Sequence, residues 1–142
     1  LINLPITKDH AGNRFTGTLK NMMGLNHRAS NRTFHRENWK SDPDDIAHLD
    51  QCIADLNTVL EPGLNIVDAM EIIVTNGPMG PGELRQPRKI IAGRDRVAVD
   101  TLCASLWGLK AAEISTIRFA EAHGLGTSDL SQLRVQEDVV TE

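Results

Sequence analysis

Cysteine is scarce in this chain: Cys52 and Cys103 are the only two in 142 residues. Two isolated thiols cannot frame a disulfide-stapled fold or ligate an iron–sulfur cluster. Both lie in apolar, helix-like stretches, where they read as small buried hydrophobes. No apolar run approaches the ~20 residues a membrane-spanning helix needs, and no signal-peptide pattern is present. A Gly-x-Ser-x-Gly elbow, a Cys-x-x-Cys pair, a dinucleotide-binding glycine fingerprint and a Gly-Lys-Ser/Thr phosphate loop are all missing, which removes several enzyme classes. Basic excess is lacking too. A formal charge of −4 argues against a whole-surface nucleic-acid binder and leaves only a local basic patch between His27 and Lys40. There is no initiator Met, and the chain opens directly in apolar Leu1-Ile2-Asn3-Leu4. The expectation is therefore a part of a larger protein whose N-terminal portion lies upstream. The fragment favours a cytoplasmic setting and leaves an upstream export signal open.

What is present is ordinary globular composition, with 40% hydrophobic and 24% charged residues, enough for one core. Leu1–Leu4 reads as a short buried strand stopped by Pro5. Residues 6–15 look loop-like, and Thr16 caps a short helix through Met23 that ends near Gly24. Residues 26–42 are polar and irregular, a long loop of the functional or mobile kind. Asp42-Pro43 starts a helix whose Ile46, Leu49, Ile53, Leu56 and Leu60 share one face. Leu64–Val74 reads as a central strand, Asn76–Gly82 as a rigid Gly/Pro turn wall and Lys89–Gly93 as another strand. Helices follow over Val97–Trp107, with Asp95 as N-cap, and from Ala111 to His123. Gln132–Val135 reads as an edge strand. Alternating strands and helices predict a single α/β domain over residues 1–142, with a mostly parallel sheet flanked by helices.

Ligands of open α/β sheets bind beyond the carboxyl ends of strands, so the segment after the first strand, Lys8–Arg36, is the candidate site. Lys20 falls in the first turn of a short helix, where the dipole disfavours a cation. It either holds an anion with the N–H groups at Gly17 and Thr18, or has a lowered pKa and serves as nucleophile or base, or is simply a solvated surface lysine. His10 and His35 flank it as candidate general acid/base groups and as candidate metal ligands. Thr16, Gly17 and Asn21 are expected to line the substrate, with Arg28 and Arg32 as planar carboxylate binders. Asp68, an acid within an apolar strand, needs a partner, and Asp100, among apolar neighbours, is either a buried pair member or a site residue. His48 and His123 suit structural roles. In a non-catalytic alternative, residues 26–40 dock a protein partner, with Phe34 and Trp39 as anchors.

These stretches resemble the family called domain of unknown function 362. The matching elements are Leu4-Pro5 with Lys8 and His10, Thr16-Gly17-Thr18-Leu19-Lys20-Asn21-Met22-Met23-Gly24, His35, Ile66-Val67-Asp68-Ala69, Asn76-Gly77-Pro78 with Gly80, and Asp95-Arg96-Val97-Ala98-Val99-Asp100. The resemblance implies a further α/β portion upstream and an association with ferredoxin-like four-iron, four-sulfur modules. With its cysteines, this chain could obtain such a cluster only from a missing segment or a redox partner. The order His10, Lys20, His35 is also distantly similar to the nickel-dependent lactate racemase family. That similarity would make Lys20 the tether of a nickel-pincer nucleotide, His35 the nickel ligand and His10 an acid/base, although Thr16-Gly17-Thr18-Leu19 stands where that family has a glycine-rich segment. The leading expectation is a redox- or metal-associated site that binds an anionic small molecule.

Overall fold

The computed structural model describes residues 1–140. β1 (Ile2–Asn3) passes Pro5 into a hairpin, β2 (Lys8–His10) and β3 (Arg14–Thr16). α1 (Thr18–Asn21) follows and tightens into a 3-10 turn over Met22–Leu25. Next come α2 (Arg28–His35), α3 (Pro43–Val59) and β4 (Leu64–Ala69). The short pair β5 (Ile72–Ile73) and β6 (Leu84–Arg85) leads to β7 (Lys89–Gly93), α4 (Arg96–Leu106) and α5 (Ser115–Ala122).

The main sheet has the order β1-β4-β7. β1 runs parallel to β4, whereas β4 and β7 are antiparallel, as are the β2–β3 and β5–β6 pairs. The fold is mixed α/β, and the expectation of a mostly parallel sheet is corrected. Parallel neighbours need a helical crossover. The chain supplies one between β1 and β4, which holds α1, α2 and α3. Between β4 and β7 it has only the β5–β6 pair and the Gly/Pro loop, so the strand returns antiparallel.

One layer of helices covers one face of this sheet. Leu19, Leu49, Ile53, Val67, Val97, Cys103 and Ile117 are its innermost side chains. The first strand departs from expectation. Its apolar residues are exposed, Ile2 at 59% and Leu4 at 66% on the outward face, while Leu1, ahead of the strand, is 66% exposed. The period of two turns Asn3 inward instead, and its amide donates to the Thr18 carbonyl and to Asn65 Oδ1, both at 3.0 Å. Asn21 Nδ2 donates back to Asn3 Oδ1 at 2.8 Å. A polar ladder therefore joins β1, β4 and α1 across the sheet.

Capping explains the long helices. Asp42 accepts from the Asp44 and Asp45 N–H groups with Pro43 at the first position of α3, and Asp95 accepts from the Ala98 N–H of α4. The other end of α3 is held by Arg96, whose buried guanidinium donates to the carbonyls of Asn57 at 2.9 Å and Leu60 at 2.5 Å. Arg96→Met would leave these helix-end carbonyls unpaired in a dry setting, so we expect a loss of about 2–3 kcal/mol, read from urea-unfolding midpoints. A change below about 0.5 kcal/mol would show that water replaces the guanidinium freely.

Two further differences concern segments without strong periodicity. Residues 26–42, expected as a loop, contain α2, whose first turn is capped by His27 Nδ1 accepting from the Ala29 N–H at 3.3 Å. At the other end of the chain, Leu130–Gln132 forms a 3-10 turn and no strand covers Gln132–Val135. No helix among the described residues is long and apolar enough to cross a membrane.

Candidate functional site

The β2–β3 hairpin, read from sequence as a loop, sets the position of His10. Asn76–Gly82 braces it from behind, since the Gly77 N–H donates to Asp9 Oδ2 at 2.9 Å. His10 is buried, and its Nδ1 accepts from the Asn13 N–H at 3.3 Å. A neutral imidazole whose Nδ1 accepts carries its hydrogen on Nε2. Burial, followed by the charges of Lys20, His35, Lys40 and Lys8, pulls the His10 pKa down to about 3, so the ring stays neutral. Trp39 stacks on it with ring centroids 4.7 Å apart. This approach depends on Gly12, where a Cβ would meet the Trp39 carbonyl oxygen at 2.5 Å.

α2 brings His35 to the same place. Its centroid lies 6.2 Å from that of His10 and 5.0 Å from Trp39, edge-on to the indole. Here the tautomer is the opposite one. His35 Nδ1–H donates to the Asn31 carbonyl at 2.7 Å, which leaves the Nε2 lone pair free. Burial lowers the His35 pKa, the bond to Asn31 opposes this, and the nearby Lys20 charge lowers it further.

Lys20 sits on α1, and its charge acts on both rings. Burial brings its pKa down to about 8 against the pull of Asp50, with Lys8 adding a smaller depression. Its amine donates to Met23 Sδ at 3.6 Å. Asp50, buried on α3, has its pKa raised by burial. Its Oδ1 accepts from Thr116 Oγ1 at 2.5 Å and from Asn13 Nδ2. Asn13 thus touches both His10 and Asp50, one through its backbone and the other through its side chain.

The helix N-terminus offered to an anion by the sequence is occupied from within. Asp100 Oδ1 accepts from the Thr18 N–H at 2.6 Å and from Thr18 Oγ1 at 2.8 Å, and Oδ2 accepts from the Leu19 N–H at 3.1 Å. Gly17 makes room, because a Cβ there would lie 2.4 Å from Asp100 Oδ1. Asp100 therefore caps α1 from α4, a task that Thr16 was expected to perform. Thr16 is buried at the end of β3, and Asn21 bonds Asn3. Asp68 is exposed on the outward face of β4, where it accepts from the Met70 N–H at 2.9 Å. Arg28 and Arg32 are exposed on α2, while Phe34 and Trp39 pack against the core as partly buried residues.

The family model for DUF362, a domain of unknown function, matches residues 1–105. The chain belongs to the DUF362 family. No curated protein and no solved structure matches it. The matched span of this DUF362 chain contains His10, Lys20, His35, Asp50 and Asp100, and ends before α5, which contributes Thr116.

A metal shared by His10 and His35 does not fit this geometry. His35 has a free lone pair, but His10 uses its lone pair on Asn13, which leaves only an N–H at Nε2. Among the described residues no group of three or more His, Cys, Asp or Glu is placed to hold a metal ion. Sequence reasoning missed Asn13 and Asp50 as members of this DUF362 site. Asp50 did leave a signal: with Asn57 it interrupts the apolar face marked by Ile46, Leu49 and Ile53, and both polar residues are buried.

Proposed function

We propose that this DUF362 chain binds a small anionic molecule at Lys20 and carries out acid–base chemistry on it with His10 and His35. One observation carries the reading: two imidazoles of opposite tautomer meet within the field of one partly buried lysine. His10 offers an N–H that can hydrogen-bond a developing oxyanion without charging the ring. His35 offers a lone pair, oriented by a backbone carbonyl, that can take a proton. The charges of Lys8 and Lys40, which both act on His10, add to that of Lys20 and favour an anion. Arg28 and Arg32 stand on the helix that carries His35 and would assist with a carboxylate.

Titration calorimetry with pyruvate and with inorganic phosphate tests this reading. Lys20→Ala should weaken binding of whichever probe binds by about tenfold or more, in line with loss of a charge-assisted contact, while far-ultraviolet circular dichroism stays unchanged. Binding needs the ammonium form, so affinity should fall as pH rises through about 8, the value to which burial brings Lys20. Equal affinity in wild type and variant would remove Lys20 from the site.

A further inference from the structure

The Lys20 amine is short of partners. An ammonium has three hydrogens to donate, yet the acceptor it meets is a thioether, Met23 Sδ at 3.6 Å. Asp50 acts on it through space but makes no ion pair with it among the described residues. Asp50 is already bonded by Asn13 and Thr116. A half-buried amine with such weak solvation is suited to being neutral, and a neutral amine is a nucleophile. The charge of Lys20 acts on both imidazoles, and these supply the other groups that addition to a carbonyl needs. His10 Nε2–H can stabilise the oxygen, and His35 Nε2 can accept a proton from the attacking nitrogen. Lys8 and Lys40 make the surroundings positive and so favour a carbonyl compound that also carries a carboxylate.

We infer that Lys20 is a covalent nucleophile that condenses with the carbonyl group of a small 2-oxo acid to form an imine. The inference rests on the anion-site reading above and names its substrate class. The Nζ lone pair forms a bond to the carbonyl carbon while the π electrons move to oxygen, which the His10 N–H holds. The two amine hydrogens leave one at a time through His35 Nε2. Both end on the departing oxygen, which leaves as water, and the carbon–nitrogen double bond closes. No oxidant or reductant is consumed.

Reductive trapping tests the step on the intact protein. Glyoxylate and sodium cyanoborohydride are added at pH 7, and labelled lysines are located by peptide mass spectrometry. With its pKa at about 8, Lys20 holds on the order of 100-fold more neutral amine at pH 7 than an ordinary lysine. It should therefore be labelled at least about tenfold faster than the exposed Lys110 in the same sample. In His35→Gln the label on Lys20 should slow by about tenfold or more, the lower end of a general-base contribution. Labelling of Lys20 no faster than of Lys110 would overturn the inference.

The two readings fail separately. Affinity for inorganic phosphate, which cannot condense with an amine, falls as pH rises through about 8, whereas trapping at Lys20 climbs over the same range as the amine loses its proton. If trapping is absent while Lys20→Ala still abolishes anion binding, the anion site stands and only the covalent step is removed. If neither is seen, both readings go.

Discussion

Gly17→Ala will destabilise the native sequence by about 3 kcal/mol, and will cost far less once Asp100 has been replaced by Ala. The cost is steric, since φ at Gly17 is −126° and lies outside the left-handed region. The new methyl would meet Asp100 Oδ1 at 2.4 Å and Cγ at 2.7 Å. Relief requires the carboxylate to back away from Thr18 and Leu19, leaving buried N–H groups unpaired, and each such loss costs about 1–3 kcal/mol. Asp100→Ala alone removes the same hydrogen bonds and should cost about 3 kcal/mol for the same reason. In the double variant the methyl has no carboxylate to strike. Urea-unfolding midpoints of the four proteins should therefore give a coupling of about 2 kcal/mol in a double-mutant cycle. Additive losses would mean that Gly17 matters for some other reason.

A second large effect is expected on the acid side of neutrality. The His10 pKa falls from 6.5 to about 3 on folding. As pH drops below 6.5 the unfolded chain takes up a proton that the folded chain refuses, so His10 withdraws stability between about pH 6.5 and 3. A shift of this size corresponds to roughly 3–5 kcal/mol. Asp100 works in the opposite sense. Burial raises its pKa from 3.8 to about 6 against the pull of its bonds to Thr18 and Leu19, so the folded state gains relative stability as pH falls from about 6 towards 3.8. The His10 contribution must therefore be read as a difference. Wild type and His10→Gln, unfolded in urea at a series of pH values, should converge in stability as pH is lowered from 7 to 4. Parallel curves would show that His10 titrates alike in both states.

Much of this architecture is written in local signals. Asp42-Pro43 and Asp95 mark the starts of α3 and α4, and Ile46, Leu49 and Ile53 mark the buried face of α3. The Lys89–Gly93 strand has the bounds expected of it. Strand direction was not legible, because it depends on whether a helix fills the connection, and residues 74–88 carry Gly and Pro where a crossover helix would be. The β2–β3 hairpin was also hidden: each arm is only three residues long, and Lys8-Asp9-His10 lacks the β-branched residues that announce strands. α2 escaped notice because its polar composition hides its helical character, although Phe34 does turn inward.

For the site, sequence reasoning named His10, Lys20 and His35 from their chemistry; the structure sets the two His rings 6.2 Å apart, and the Lys20 charge acts on both. It could not see that Asp100, 82 residues away from Thr18 in sequence, would take the N–H groups that the sequence alone leaves open to a ligand. Asn13 enters through its backbone as well as its side chain, and no pattern of residue types announces a main-chain donor. The outward placement of Asp68 follows from the period of two along β4, which aims Asn65, Val67 and Ala69 at the core.

The long reach of Asp100 also bears on the order in which the molecule assembles. A helix of four residues such as α1 cannot sustain itself in water, since nucleation outweighs its few internal bonds. Its N–H groups find their acceptors only after α4 exists and has docked. During synthesis, a nascent chain that has not yet exposed Asp100 will hold Lys20 on an unformed turn, however complete α3 already is. Closing so long a loop is slow compared with forming local helices. The Lys20 site should therefore mature late, after the helical layer has condensed, with the α1–α4 contact as its final latch.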